Sequence, residues 1–417
     1  MTSSVLGRDF RLLWSAAVSS RLGDALRTPA LALLAATVTR DPRVIAAVTV
    51  AAQLPPLLFG LLGGVYADRW DRRRTMALVD GVRAAVVAAL AVVVALNRVS
   101  VLVLLVAAFL LAALGTLFDS ASFALLPSLV PPDALPRANG RLQAGSAVAG
   151  GFLGAPAAGV LFAVAPALPF ALDAVTFAAA ALLVLALGTP SASDPGTRRP
   201  ATGPGRGRQR GSVWSEIVEG LRWLRAHRTL WRVTVLTAAS NLAISGIMAV
   251  LVLYALDVLR VPPAGYGLFA AAAIVGGVAG ALGAARLAAW LGTVPALRAV
   301  LAVETVALTG FAVARHPVPG GIALAVFAAG TVAWNSLWAS YGQRHVPSEL
   351  LGRVGAAQRM VGLLTAPLGA ALAGLAAASY GTAPVTAAAA VTFALVTLVA
   401  WRSTVEPVRE SQRSSII

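Results

Sequence analysis

The stretch Gly64-Val65-Tyr66-Ala67-Asp68-Arg69-Trp70-Asp71-Arg72-Arg73-Arg74 lies between two long apolar segments and carries six charges in its last seven positions. Such a run cannot sit in hydrocarbon, so it marks a tight loop at a membrane face. A faded copy recurs 217 residues later as Gly280-Ala281-Leu282-Gly283-Ala284-Ala285-Arg286, where Gly63, Ala67 and Arg69 find partners at Gly280, Ala284 and Arg286. At the same offset Arg11-Leu12-Leu13-Trp14 is answered by Arg228-Thr229-Leu230-Trp231, and one residue short of it Val130-Pro131 through Arg137 is answered by Val346-Pro347 through Arg353. Three anchors at one spacing imply two copies of one membrane-embedded half, an architecture found among secondary transporters.

Composition agrees. Of 417 residues 58% are hydrophobic and 12% charged, with a mean hydropathy of +0.81, whereas a soluble chain carries about 25% charge. The net charge of +16 would suit nucleic acid if it were clustered, but its distribution is a topology signal. All 33 basic residues are arginine, and only Arg40, Arg43, Arg98, Arg260 and Arg315 fall in loops on one side. The arginine-rich side, with both termini, is therefore expected to be cytoplasmic. Without lysine there is no phosphate-binding loop for ATP hydrolysis. The three histidines, His227, His316 and His345, are far apart and suggest no metal site. No nucleophile–base arrangement stands out, no cysteine is present, and no cofactor or enzymatic activity is expected. The first apolar segment is too long for a cleavable signal and is expected to remain as a span.

Apolar runs between charged or Pro/Gly breaks give twelve expected helices, at about 10–37, 43–66, 76–96, 99–125, 139–164 and 167–188, then about 231–256, 264–290, 296–314, 318–341, 353–379 and 382–401. The expected fold is an all-α membrane protein with two pseudo-symmetric six-helix bundles, 1–188 and 231–401. A linker, 189–230, separates them, and a cytoplasmic tail, 402–417, follows. The linker's first part is rich in Arg, Gly and Pro and reads as a disordered tether. Residues 212–228 place Trp214, Ile217, Leu221 and Leu224 on one face, with Glu219, Arg222 and Arg225 away from it, the pattern of a helix lying on the membrane surface.

Over nearly its whole length the chain resembles the major facilitator superfamily, most of all its drug and natural-product exporter branch with the macrolide and siderophore efflux proteins. That family's loop between spans two and three is matched by Gly64, Ala67, Asp68, Arg69, Arg72 and Arg73, while Tyr66, Asp71 and Thr75 depart from it. The resemblance implies a conformational latch of Gly64, Asp68, Arg69, Arg72 and Arg73 with an acidic residue near the cytoplasmic end of span four, where Asp119 stands. A carboxylate inside a span is costly unless paired, and Arg72 or Arg73 is the expected partner. Exporters of this type carry a Gly/Pro pattern in span five, matched here by Gly150, Gly151, Gly154, Pro156 and Gly159. Ala155 replaces the usual glycine, and ordinary tight packing explains the same residues. Leu111 stands where many drug–proton antiporters carry an arginine.

The resemblance implies bacterial cytoplasmic-membrane residence, a small-molecule substrate, a monomeric state and transport by alternating access. The leading expectation is proton-coupled efflux of a drug-like or natural-product compound. The alternative is an importer or uniporter of a small metabolite. Proton coupling needs a carboxylate buried in one state and wet in the other. Asp24, between Arg21 and Arg27 in span one, is the first candidate, although a fixed Arg21–Asp24 pair explains it equally. Glu304 in span nine is the second, with that span expected to face away from the cavity. Asp173 reads as an anchor at the outer end of span six. Depth along the spans nominates Asp24, Arg27, Phe118, Asn241, Ser245, Trp334, Asn335 and Trp338 as lining a central substrate cavity.

Overall fold

The computed structural model describes residues 7–59, 71–131, 134–188, 213–346 and 350–403, and among these it is helical throughout with no strand. In lipid every backbone N–H and C=O must be satisfied within its own segment, and the long apolar runs leave the helix as the only solution. The first half comprises α1 (Arg8–Val38), α2 (Pro42–Phe59), α3 (Arg72–Ala95), α4 (Val101–Leu129), α5 and α6 (Leu168–Leu185). Helix α5 is built of Leu135–Ala147, a π-helical turn Val148–Gly154, and Ala155–Val164. The second half comprises α7 (Arg228–Leu253, extended by a π turn Tyr254–Val258), α8 (Tyr266–Leu291), α9 (Thr293–Val313), α10 (Pro317–His345), α11 (Leu351–Tyr380) and α12 (Thr382–Ser403). Eleven of the described helices are long and apolar enough to cross a membrane on composition alone. The twelfth, α1, is set apart by Arg21, Asp24 and Arg27 in its middle.

The halves repeat one packing scheme. In the first, α1 packs on α5 and α6, α3 on α4 and α6, and α2 on α4; in the second, α7 packs on α11 and α12, α9 on α10 and α12, and α8 on α10. Between halves α2 meets α11 and α5 meets α8. A pseudo-two-fold axis exchanges these two contacts, so two pseudo-symmetric six-helix bundles account for the whole arrangement.

Sequence explains where helices begin and turn. Asp71, which departs from the family loop, caps α3 by accepting from the Arg74 backbone N–H at 3.1 Å, a favourable place for a carboxylate. At the far end of a neighbour, Arg73 donates through Nε to the Val184 carbonyl at 3.1 Å and through Nη2 to that of Leu185. It thereby satisfies carbonyls that the last turn of α6 leaves without helical partners. Gly292 and Gly381, at φ +80° and +85°, make the α8–α9 and α11–α12 turns in the left-handed region.

Small residues set the interhelical spacing. A Cβ on Gly276 or Gly280 would strike the backbone of Ala325 or Ala329 on α10, and one on Gly369 the Leu242 carbonyl on α7. With no hydrophobic driving force between helices in lipid, this close backbone approach is what binds them. In α5 Pro156 supplies no N–H, and Ala155 N–H reaches back five residues to the Gly150 carbonyl, forming the π turn. Gly151 lies within that turn; Gly154 faces Ala25 and the Leu22 carbonyl of α1, and Gly159 faces α8. The linker helix Val213–Ala226 presents Leu224 to Val354 and Ala357 of α11, and Glu219 accepts from Arg353 at 2.6 Å. The described part of its apolar face, Leu221 and Leu224, thus packs on protein, and Glu219 is an ion-pair partner.

Valine at Gly280 is expected to lower thermal stability by about 1–3 kcal/mol, the usual cost of overpacking, whereas alanine at Gly283, with open space around it, leaves the melting temperature unchanged.

Candidate functional site

Chain direction orients the molecule: odd-numbered helices begin on the face that carries the termini. On the opposite face the halves touch. There a Cβ on Gly159 would come within 2.6 Å of the Ala264 carbonyl, and one on Gly267 would strike that of Ala155. A Cβ on Gly374 would strike Ala46, and Arg40 pairs with Asp257 at 3.0 Å. On the termini side of this seal lies a cavity of about 600 Å³ between the halves, lined by Arg21, Asp24, Arg27, Thr49, Met248 and Tyr266 among mostly apolar neighbours.

Asp24 is the cavity's link to a buried charge cluster. It accepts from Arg27, one turn along α1, and from Arg83 Nη2 of α3 at 2.6 Å. Arg83 Nη1 donates to Ser20 Oγ at 3.0 Å and to Asp80 Oδ1 at 3.2 Å, and its guanidinium lies 3.9 Å from the centre of the Phe177 ring. From α6 Asp173 Oδ2 stands 3.5 Å from Arg27 Nε. Gly23 makes room for it, since a Cβ there would strike Asp173 Oδ1 and Thr176 Oγ1. Arg83 is 2% exposed, Asp80 and Asp173 are 0%, and the Asp24 side chain is 22%. Three carboxylates thus share two guanidiniums in a low-dielectric interior. Asp80 Oδ2 and both Asp173 oxygens accept no hydrogen bond among the described residues.

Several expectations change. Arg21 pairs with Asp119 at 2.5 Å rather than with Asp24, because α1 turns Asp24 toward α3 and α6. Asp119 is therefore held by span one. Arg73, a proposed partner for it, is spent on the end of α6. Gly64, Asp68 and Arg69 lie outside the described residues. Asp173 is no end anchor but a core member of the cluster. Asp80 and Arg83 were not singled out, although their spacing of three residues on one helix face was a usable signal.

The nominated cavity residues divide. Asp24 and Arg27 line the space between the halves. Asn241, Trp334, Asn335 and Trp338 line a second cavity of about 60 Å³ inside the second bundle, together with Glu304. That carboxylate is 3% exposed and accepts from Thr331 Oγ1 at 2.9 Å, so its side of α9 faces the interior of the second bundle and not the cavity between the halves. Phe118 packs in the first bundle's core with Phe10, Leu13 and Met76, and Ser245 is buried; neither lines either cavity.

A family model described as Major Facilitator Superfamily matches residues 13–369. The chain belongs to this superfamily, and its fold is that of a membrane transporter acting on a small-molecule substrate. No curated protein matches it. Among solved structures it is similar to the nucleoside transporter NupG, with TM-score 0.70 at 12% identity over 95% of this chain and 99% of that one. A bacterial homologue of the human lysosomal transporter Spinster, inward-facing and unoccupied, gives 0.70 at 15% identity over 95% and 96%. A bacterial homologue of the iron transporter ferroportin gives 0.68 in an inward-facing state, at 16% identity over 95% and 100%. An outward-facing structure of a ferroportin homologue gives 0.57 at 18% identity over 96% and 100%. At these identities the likeness concerns the fold.

Replacing Arg83 with methionine strands buried carboxylates and is expected to cost about 3–5 kcal/mol, read as a lower melting temperature; adding Asp80→Asn restores part of the loss by removing one of the stranded charges.

Proposed function

We propose that the chain is a proton-coupled exporter of a drug-like or natural-product small molecule, working by alternating access. The single observation behind this reading is Asp24, a partly exposed carboxylate at the wall of the inter-half cavity. Its partners, Arg27 and Arg83, are shared with two further buried carboxylates. Three acids against two bases leave a place for one exchangeable proton, and Asp24 is where the cavity reaches it. A potential of about 150 mV on one proton supplies roughly 3.5 kcal/mol, a few-hundredfold concentration ratio.

In this reading residues 1–188 and 231–401 rock against each other as units, with 189–230 as their tether. The chain works as a monomer in the cell membrane with both termini in the cytoplasm. The structure then corresponds to the inward-open state. Here Arg21 holds Asp119 in a pair that is half-exposed on both sides and so cheap to break. In the opposite state Asp119 is released to the loop of Gly64, Asp68, Arg69 and Arg72, which then serves as the latch.

Leu111, where many antiporters carry arginine, favours a second reading, an importer or uniporter of a small metabolite on the same fold. Dye and antibiotic transport into inverted versus right-side-out vesicles separates the two.

Asp24→Asn is expected to abolish pH-driven dye accumulation in inverted vesicles while leaving protein levels intact; unchanged accumulation removes Asp24 from the mechanism. Cysteines at positions 40 and 257, introduced into the naturally cysteine-free chain and joined by a short thiol cross-linker, are expected to stop transport by fixing the far face shut. A cross-linked protein that still transports would contradict alternating access through that face.

A further inference from the structure

The two bundles treat buried charge differently. In the first, three carboxylates share two guanidiniums. In the second, Glu304 lies eleven residues beyond Thr293, the start of α9, or about 16 Å into a hydrocarbon layer of roughly 30 Å. Its carboxylate has one hydrogen bond, from Thr331, and among the described residues no arginine within ion-pair distance. Gly330 keeps α10 tight against it, since a Cβ there would strike Glu304 Cγ. An intramembrane carboxylate without a counter-charge is costly in its ionised form unless it faces water or a cation.

It faces a cavity. The space of about 60 Å³ bounded by α7, α9, α10 and α12 is several times what one water needs. It runs from Glu304 toward Val294, Tyr341 and Ala400 at the termini-side ends of their helices, so it points to the same face as the larger cavity. Its wall combines amides, Asn241 and Asn335, with an aromatic stack in which Trp334 and Trp338 lie 6.2 Å apart and Trp338 and Tyr341 5.4 Å apart. Arg298 also lines it, about 9 Å nearer the termini than Glu304 along α9, its guanidinium 5.6 Å from the Trp401 ring centre. The inner end is therefore anionic and aromatic, and such a combination selects a weakly hydrated ammonium over other small ions.

We propose that this cavity is a binding site for a small organic ammonium group, with Glu304 as its counter-charge and Trp334, one turn along α10 from Thr331, as its cation–π wall. Thr331 orients the carboxylate. The volume admits a methylammonium-sized head. The site lies wholly within the second bundle, so it is independent of the Asp24 cluster and of the direction of transport.

The test is titration of the purified full chain in lipid nanodiscs, read by tryptophan fluorescence, with methylammonium chloride or sodium chloride replacing the strongly hydrated lithium chloride at constant ionic strength. Methylammonium is expected to give a saturable change that Trp334→Phe diminishes. Glu304→Gln, which retains side-chain size and the Thr331 contact, should weaken binding at least tenfold, Glu304→Asp should retain part of it, and Asp24→Asn should leave it unchanged. No saturable response to methylammonium in the wild type overturns the proposal, as does saturation by sodium alone or unweakened binding in a Glu304→Gln protein whose melting temperature matches wild type. Loss of pH-driven transport in Asp24→Asn with methylammonium binding intact separates this site from the coupling mechanism.

Discussion

The first bundle is organised around one buried guanidinium. Arg83 lies eleven residues past Arg72, the first residue of α3, which is about 16 Å into the membrane. It is 2% exposed, so the surrounding helices must solvate it. Ser20 and Asp24 come from α1, Asp80 from α3 itself, and the Phe177 ring from α6. These are the helices that pack together in this half. Replacing such a charge by an apolar side chain is often neutral or stabilising when its partners go with it. Stability alone is therefore a poor reason for a five-member cluster at the edge of a cavity, which is the ground on which a coupling role is proposed for it above.

The symmetry of the backbone does not extend to this chemistry. Glu304 sits at the same depth in α9 as Arg83 does in α3, the two helices being counterparts in the repeat. One bundle carries a cluster of paired charges that touches the shared cavity; the other carries a single acid in a pocket of its own. Duplication supplied the scaffold, and the site residues diverged on it.

The fold was legible because the membrane makes it so. A span must be apolar for about twenty residues, and the anchors at one spacing identified the repeat without any knowledge of contacts. The site was legible only where one helix carries the signal. Asp24 has an arginine three residues away on either side, both local signals, and the structure pairs it with Arg27 and not with Arg21. Asp24 with Arg83, or Arg27 with Asp173, joins separate helices, and nothing in the linear chain specifies those meetings. Phe118 and Ser245 show the companion difficulty. Depth along a helix is read from residue count, but the direction a side chain faces depends on rotation about the axis, which packing decides. Asp173 combined both problems: it is five residues from the start of α6, so it read as an end, yet Gly23 opens a recess in α1 that draws it inward.

The contact between halves on the far face is made of glycine, alanine and main-chain atoms. Gly159 and Gly267 bring α5 and α8 together, Gly374 rests on the start of α2, and the sole long side chains bridging it among the described ion pairs, Arg40 and Asp257, are solvent-washed. Surfaces of this kind have no interlocking knobs to lift out of holes when they slide or roll. They give cohesion through sheer proximity while offering little mechanical resistance to tilting, much as a greased bearing does. In the alternating-access reading proposed above, a joint so constructed parts and re-forms without any side chain having to be unthreaded, a property carried by residues that have almost none.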